Sequence, residues 1–173
     1  MTIEFVAGDL LKPRVKEESL AHGCNMLGLM GAGIARDIRK MYPKDMFSDY
    51  RELCVVGDYR DTVNGEDIYT KPDGGDVQCM IYADPQYPVL FNMFTQKDIW
   101  QDRARLEWVE KSLLRVIEIC REKNIKSVGM PQVGAGLGGL RWEDVKELMI
   151  RVCSPVEDVH FVCYETYVPY VGE

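Results

Sequence analysis

Short apolar runs alternate with amphipathic segments along this chain of 173 residues. Several of the runs are apolar almost without interruption, which is typical of strands that are covered on both faces. The predicted strands are 2–6, 19–22, 66–70, 77–82, 89–95, 127–130 and 159–164. Four other segments carry apolar residues at helical spacing and predict helices over 32–41, 44–54, 103–123 and 142–152. This order predicts an α/β fold with three layers, α/β/α, around a central mixed sheet.

One turn and the extent of the domain are also predicted. The segment 71–76, Lys-Pro-Asp-Gly-Gly-Asp, is a strong turn signal between the strands predicted at 66–70 and 77–82. No linker, low-complexity stretch or convincing repeat interrupts the chain, and its length suits one domain with a sizeable core. We therefore expect a single domain over residues 1–173.

Two glycine-rich segments follow predicted strands and precede predicted helices. The first runs from His22 to Ile34, and the second from Pro131 to Gly139. Backbone N–H groups in such loops can surround a phosphate, and a helix N-terminus adds partial positive charge. Ligands of open α/β sheets bind beyond the carboxyl ends of the strands, where both segments are expected. Two such loops in one domain indicate a ligand with a pyrophosphate, or with a phosphate and a sugar.

Composition narrows the classes of partner and the compartment. The formal net charge of −7 argues against general affinity for nucleic acid or for an anionic membrane, so a polyanion would need local backbone donors. No apolar run approaches the ~20 residues that span a bilayer, and the N-terminus lacks the blocks of a signal peptide. The six cysteines have neither C-x-x-C nor zinc spacing, which favours free thiols in a reducing cytosol. We expect a cytoplasmic protein with no membrane partner, no metal and no cofactor.

Three well-known phosphate motifs do not account for the two loops. A Walker A loop requires a lysine and a hydroxyl residue that neither segment contains. A dinucleotide fingerprint requires a third glycine that is missing after Gly31 and Gly33, while the match at 134–139 lies late in the chain without a suitable acidic residue. Kinase-type catalytic segments are also absent from the sequence. The loops are therefore expected to bind phosphate in another way.

The motifs resemble the macrodomain family of ADP-ribose-binding modules over nearly the whole chain. The resemblance is carried by Phe5-Val6-Ala7-Gly8-Asp9-Leu10, Ala21-His22-Gly23-Cys24-Asn25, Met30-Gly31-Ala32-Gly33-Ile34-Ala35 and the segment from Met130 to Trp142. It implies an α/β/α fold in which the first loop binds the distal ribose and phosphates and the second wraps the diphosphate. The implied partners are ADP-ribose or a derivative, including ADP-ribosylated macromolecules.

The resemblance also implies binding residues at the adenine end. Asp9 would accept a hydrogen bond from the adenine amino group, although a simple turn or capping aspartate is the alternative. Tyr164 and Glu165 would stack on the base and contact its polar edge, or else form an ordinary strand end. The expected ligand-binding residues are Gly8, Asp9, Leu10, Gly23, Asn25, Met30, Gly31, Ala32, Gly33, Ile34, Gln132, Gly134, Ala135, Gly136, Leu137, Gly138, Tyr164 and Glu165.

Within the family, the sequence is similar to a branch that contains ADP-ribose-1″-phosphate phosphatases and terminal ADP-ribose glycohydrolases. The glycohydrolases carry a lysine directly after the threonine that ends the central strand, and an aspartate in the second loop. This chain has Gln96 and Gly138 at those places, and alternation along an extended segment would direct Lys97 to the opposite side. The departure counts against a lysine-dependent removal of ADP-ribose.

The candidate catalytic residues are His22 and Asn25. His22 would act as general acid or base in the hydrolysis of ADP-ribose 1″-phosphate by water, while Asn25 orients ribose hydroxyls or phosphoryl oxygens. The alternative for His22 is a buried strand-end histidine. Two other functions remain open: a hydrolase that removes ADP-ribose from protein or nucleic acid with water activated by the ligand's own phosphate, and a catalytically silent binding module.

Overall fold

A six-stranded mixed sheet forms the centre of the protein in a computed structural model that describes residues 2–172. The strands are β1 (Ile3–Gly8), β2 (Ser19–Asn25), β3 (Asp58–Val63), β4 (Glu66–Thr70), β5 (Val77–Met80), β6 (Val89–Gln96), β7 (Ser127–Met130) and β8 (His160–Tyr167). The order across the sheet is β1-β8-β7-β2-β6-β5. All neighbours are parallel except β5, which runs antiparallel to β6 and makes the sheet mixed.

Helices cover both faces of the sheet, as the apolar pattern predicts. They are α1 (Gly33–Met41), α2 (Lys44–Val55), α3 (Leu106–Lys123) and α4 (Trp142–Cys153). Strand β6 divides its side chains between the two layers because successive residues point to opposite faces. Leu90 and Phe94 pack with α1 and α2, whereas Phe91 and Met93 pack with α3 and α4. The predicted three-layer α/β/α fold with a central mixed sheet is confirmed.

The turn at 71–76 does not join two paired strands. Strand β4 pairs instead with β3, which the sequence analysis missed, and the two form a separate hairpin. Every residue of β3 is exposed, so its sequence carries no apolar run. The usable signal was Asn64-Gly65, where both residues have positive φ and form a tight turn.

The segment between β6 and α3 was also assigned wrongly. Residues 103–105 are not helical, and α3 begins at Leu106. The preceding loop is held by the Asp98 carboxylate, which accepts hydrogen bonds from the backbone N–H groups of Trp100, Gln101 and Asp102 at 2.8, 2.9 and 3.0 Å. These bonds lower the pKa of Asp98 and fix the loop beside the carboxyl end of β6. Among the described residues, no helix combines the length and apolar character that a bilayer crossing requires.

Candidate functional site

A cleft of about 630 Å³ opens at the carboxyl ends of β2, β6 and β7. Both predicted glycine loops form its walls, so the chain brings them together as expected. The predicted residues that line it are Gly23, Asn25, Gly31, Ala32, Gly33, Ile34, Gln132, Gly134, Gly136, Leu137 and Gly138. Other lining residues were not among the expected ligand-binding residues, notably Leu29, Gln96, Ile99 and Arg103. Leu29 belongs to the first loop and Gln96 was named only as a departure from the glycohydrolases, whereas Ile99 and Arg103 carry no motif and reach the cleft only through the fold.

The first loop presents the N-terminus of α1 to the cleft. No side chain caps this helix at Ala32, and its first turn contains no acidic residue. Within residues 2–172, the backbone N–H groups of Gly31, Ala32, Gly33 and Ile34 have no hydrogen-bond acceptor. The uncapped helix therefore offers donors and partial positive charge to an anion.

The second loop folds back on itself and turns donors toward the cleft. Leu140 donates its backbone N–H to the carbonyl of Gly134 at 2.9 Å, and Ala104 donates to the carbonyl of Gly138 at 3.1 Å. These bonds engage two loop carbonyls. In the part of the chain that the structure describes, the N–H groups of Gly136, Leu137 and Gly138 have no acceptor. A second group of donors thus faces the first across the cleft.

The surroundings of Gly138 leave no room for a side chain. A Cβ atom at this position would lie 2.5 Å from the carbonyl oxygen of Gly134 and 2.9 Å from the Cβ of Ala104. An aspartate, which related glycohydrolases are expected to carry here, does not fit without a shift of the loop backbone. The local conformation therefore excludes a carboxylate side chain at position 138.

The Asn25 side chain holds the first loop in shape. Its side-chain oxygen accepts hydrogen bonds from the N–H groups of Leu27 and Leu29 and from the Tyr50 hydroxyl, at 3.0, 3.3 and 3.1 Å. Its amide nitrogen donates to the carbonyl of Leu29 at 2.9 Å. Tyr50, fully buried in α2, also donates to the backbone carbonyl of Asn25 at 2.7 Å. Asn25 lines the cleft with its side-chain oxygen engaged, while one of the two N–H donors of its amide has no acceptor among the described residues.

His22 does not reach the cleft. Its side chain is fully buried, and its Nε2 lies 2.6 Å from the Oδ1 of Asn92 and 3.4 Å from the Sγ of Cys24. Burial lowers the pKa of His22 to about 4, which keeps the ring neutral near pH 7. The geometry therefore gives no support to the expected acid–base role, and it matches the alternative of a buried strand-end histidine. His22 shares a face of β2 with Cys24 but lies two residues farther from the carboxyl end of the strand, so its ring is enclosed by the core under the loop.

The cleft thiol is also unsuited to nucleophilic chemistry. Cys24 contributes to the wall of the cleft, but its side chain is buried and burial raises the pKa of the thiol well above its usual value. A protonated thiol is a poor nucleophile. Cys24 therefore acts as a small packed side chain.

The predicted adenine-end residues lie outside the cleft walls. The Asp9 carboxylate accepts bonds from the N–H groups of Leu11 and Lys12 at 3.2 and 3.1 Å, and from Tyr170 at 3.3 Å. These contacts agree with the turn role that was the alternative for Asp9, and its bond from the adenine amino group stays a prediction. Gly8, Leu10, Met30 and Ala135 are likewise not part of the described lining.

Tyr164 and Glu165 also have partners of their own. The Tyr164 hydroxyl donates to the Glu17 carboxylate at 3.0 Å. Glu165 accepts bonds from Trp142 and Lys146 at 3.0 and 2.6 Å, which lower the pKa of its carboxyl, with the lysine bond contributing most. Its backbone carbonyl accepts a bond from the cleft residue Gln132 at 2.7 Å. A base-contacting role for this pair stays a prediction.

The charge inside the cleft is opposite in sign to that of the chain. Arg103 is the charged residue among the described lining, which includes no carboxylate. Gln96 lies at the end of β6 with 8% of its surface exposed, and its Nε2 donates to the carbonyl of Asp98 at 2.9 Å. Lys97 is exposed and does not belong to the described lining, in agreement with alternation along the strand.

Comparisons with known proteins identify relatives of this arrangement. The family model described as "Macro domain" matches residues 21–149. A DNA ADP-ribosyl glycohydrolase of Mycobacterium tuberculosis is 33% identical over 94% of this chain and 42% of its own length. An ADP-ribose 1″-phosphate phosphatase of Candida albicans is 29% identical over 94% of this chain and 98% of its own. The chain thus spans about two fifths of the length of the glycohydrolase.

Solved structures agree with these matches. The macrodomain of Mycobacterium tuberculosis DarG superposes with a TM-score of 0.78 and 30% identity, covering 97% of this chain and 98% of that one. Thermosipho africanus DarTG, solved in complex with ADP-ribose, has a TM-score of 0.75 over 99% of this chain and 42% of that one. Its 20% identity supports the likeness of fold alone.

Proposed function

The chain belongs to the macrodomain family, and from this premise and the geometry of its cleft we propose that it binds ADP-ribose and hydrolyses ADP-ribose 1″-phosphate. One observation carries the binding: two facing groups of backbone N–H donors without internal acceptors, in a cleft whose described lining contains Arg103 and no carboxylate. In a protein of net charge −7, such a site selects an anion locally. In this proposal a diphosphate lies between the two groups of donors.

The order of the strands gives the bound ligand its direction. Strands β1 and β8 lie at one end of the sheet order, while β2 and β6 lie toward the other. In the family resemblance the adenine belongs beside Asp9, which follows β1, and Tyr164, which lies in the second half of β8. The distal ribose therefore lies near the carboxyl ends of β2 and β6, beside Asn25 and Gln96, which are partners in the strand register.

Gln96 is the side chain we propose to orient the attacking water. Its Nε2 is held by the carbonyl of Asp98, which leaves its side-chain oxygen as an acceptor for a water proton. The water oxygen forms a bond to phosphorus, the bond between phosphorus and the 1″ oxygen of the ribose breaks, and one proton of the water ends on that ribose oxygen. The products are inorganic phosphate and ADP-ribose, and the loop N–H groups stabilise charge on the phosphoryl oxygens. Asn25 and His22 act as positioning residues in this scheme.

Phosphorus NMR of ADP-ribose 1″-phosphate with the purified protein tests the proposal. We expect inorganic phosphate and ADP-ribose to form, and Gln96→Ala to lower kcat by at least about tenfold because the water loses its acceptor. The affinity for ADP-ribose, measured by calorimetry, is expected to stay within about threefold. Gln101→Ala is the matched control, since Gln101 is exposed in the same loop and does not belong to the described lining.

Three outcomes would contradict parts of this proposal. Unaltered substrate resonances and no calorimetric signal would remove ADP-ribose binding itself. Binding without phosphate release would favour the silent binding module. Phosphate release at the parent rate in Gln96→Ala would exclude Gln96 from the reaction while leaving the activity in place.

A second candidate function is the removal of ADP-ribose from nucleic acid or protein. The 33% identity to a DNA ADP-ribosyl glycohydrolase favours it. With Gln96 and Gly138 at the matched positions, the reaction here would use water at C1″ of the distal ribose, releasing ADP-ribose and the protonated acceptor group. Release of ADP-ribose from modified DNA or protein, in samples where ADP-ribose 1″-phosphate stays intact, would replace the first candidate with this one.

A further inference from the structure

An exposed aromatic residue stands beside the distal end of the cleft. Trp100 is 70% exposed, an unusual state for the largest apolar side chain, and it directly follows Ile99, which lines the cleft and is 43% exposed. We call residues 97–103 the distal rim, because they continue from Gln96 at the end of β6. The carbonyl of Lys97 accepts a bond from the N–H of Met26 at 3.2 Å, which joins the distal rim to the first loop.

The distal rim is held in shape rather than left loose. The three N–H bonds to Asp98 close a compact turn, and the N–H of Lys97 donates to the carbonyl of Asp102 at 2.9 Å. Trp100 lies inside this turn, and its backbone rather than its ring makes the bond to Asp98. A rigid support with an exposed ring has the properties of a stacking platform, because little conformational entropy is lost when a planar ligand covers it.

The distal rim has no formal net charge, but within residues 2–172 its two cations are the charged groups without a partner. The Asp98 carboxylate is engaged by three backbone N–H groups, and Asp102 is paired with Arg105 at 2.7 Å. Lys97 and Arg103, by contrast, have no carboxylate within 4.0 Å in the described part of the chain. The unpaired charges around Trp100 are therefore positive.

We infer that the distal rim is an acceptor subsite, in which Trp100 stacks on a nucleobase of a single-stranded nucleic acid whose ADP-ribose group lies in the cleft. The inference rests on the proposed binding of ADP-ribose, since that orientation brings C1″ of the distal ribose to the rim. Lys97 contributes to binding of the strand's phosphates. The overall charge of −7 opposes a free strand, so the subsite acts on a strand that the ADP-ribose group already tethers.

The test compares the affinities of three probes for the intact protein. They are ADP-ribose, a short unmodified DNA single strand, and the same strand carrying ADP-ribose on one base through a non-hydrolysable carbon linkage at C1″. We expect the linked strand to bind at least about tenfold more tightly than ADP-ribose, as one stacked base can provide. The free strand is expected to bind more weakly than either of the other probes.

Variants of the distal rim test whether Trp100 and Lys97 cause the gain in affinity of the linked strand. Trp100→Ala should remove the tenfold gain and leave the affinity for ADP-ribose unchanged, while Trp100→Phe should restore most of it. Tyr59→Ala, which truncates an aromatic ring that is 56% exposed on the separate hairpin, is the control and should retain the gain. Lys97→Gln should lower the slope of log affinity against log salt for the linked strand by about 0.7.

Different negative results separate a failure of the acceptor subsite from a failure of the proposed function. If ADP-ribose binds but the attached strand adds nothing, or if the gain survives in Trp100→Ala, the acceptor subsite is wrong and the proposed function stands. If neither ADP-ribose nor the linked strand binds, both proposals fall. An ADP-ribosylated peptide that gains as much affinity as the DNA strand, through Trp100, would replace nucleic acid with protein as the acceptor.

Discussion

Gly33→Glu is expected to lower the affinity for ADP-ribose by at least about 100-fold, or about 3 kcal/mol of binding free energy. Gly33 has φ of +60°, where a residue with a Cβ atom is strained by about 1 to 2 kcal/mol. A Cβ there would also lie 3.5 Å from the Cδ1 of Leu137 on the opposite loop, so the longer side chain fills the space between the two loops. Its carboxylate would stand where the diphosphate is proposed to bind. Calorimetric titration with ADP-ribose measures the effect.

Gly65→Glu provides a matched control for strain and charge. Gly65 has φ of +80° in the tight turn between β3 and β4, and an added Cβ would meet nothing within 4 Å. The two variants carry the same change of residue at a left-handed position, but only one is in the cleft. Affinity retained in Gly65→Glu and lost in Gly33→Glu would assign the loss to the cleft. Affinity retained in both would refute the placement of the phosphates at the first loop.

The buried elements of the fold were predictable because burial requires an apolar pattern that is visible in their sequences. Strand β6 shows a near-continuous apolar run, and α3 shows a single apolar stripe, since each packs against the core. Strand β3 has no such signal, because all its residues are exposed. Strand β4 is equally exposed, and it was predicted as a strand that precedes the turn at 71–76. Its pairing depends on the local turn at Asn64 and Gly65. A turn signal of that kind identifies a hairpin but does not exclude a second candidate turn nearby, such as the one at 71–76.

The candidate site was predictable where backbone chemistry defines it. Glycine spacing identified both donor loops, since a loop that presents N–H groups needs small residues with unusual φ and ψ. Gln96 and Arg103 carry no such mark. Gln96 enters the cleft because β6 ends beside β2, and Arg103 does so because the distal rim folds back over the second loop. These contacts depend on the tertiary structure and cannot be inferred from a single sequence.

The roles expected for individual side chains stay predictions, for a different physical reason. A motif gives the residue type and its strand, but not the hydrogen bonds that the side chain makes within the protein. The Asp9 carboxylate accepts bonds from two N–H groups of its own turn and from that of Tyr170, and the buried ring of His22 lies against Asn92. These contacts depend on the tertiary structure, because strand β2 is buried on both faces.

The free energy of unfolding is expected to fall by about 3 kcal/mol as the pH decreases from 7 to 4, through His22 alone. The pKa of His22 is about 4 in the folded protein and 6.5 in an exposed chain, because burial disfavours the charged ring. Between these values the unfolded chain binds more protons than the folded protein, so stability rises with pH. The contribution is fully present above pH 6.5 and is lost as the pH falls toward 4. Urea unfolding at a series of pH values measures it.

The variant His22→Gln isolates this contribution from the other titrating groups. Glutamine can keep a donor toward the Oδ1 of Asn92, so we expect a loss of about 1 to 2 kcal/mol at pH 7 and a much flatter profile between pH 6.5 and 4.5. The lowered pKa values of Asp98 and Glu165 change the stability at pH values below this window. The raised pKa of Glu17 makes stability fall as the pH rises, and this contribution is the same in the parent protein and in His22→Gln. His160→Gln makes the same substitution at an exposed position on β8 and controls for the change of residue itself.

The same variant decides whether His22 takes part in the reaction. If it is only a buried positioning residue, His22→Gln should keep its turnover of ADP-ribose 1″-phosphate above pH 7, where the variant is folded. A collapse of kcat in a folded variant, with ADP-ribose affinity unchanged, would restore the acid–base role expected from the sequence. It would also require the ring to leave its partner Asn92 during the reaction, because in this conformation no part of His22 is exposed to the cleft. Stability and turnover thus separate the two roles of one histidine.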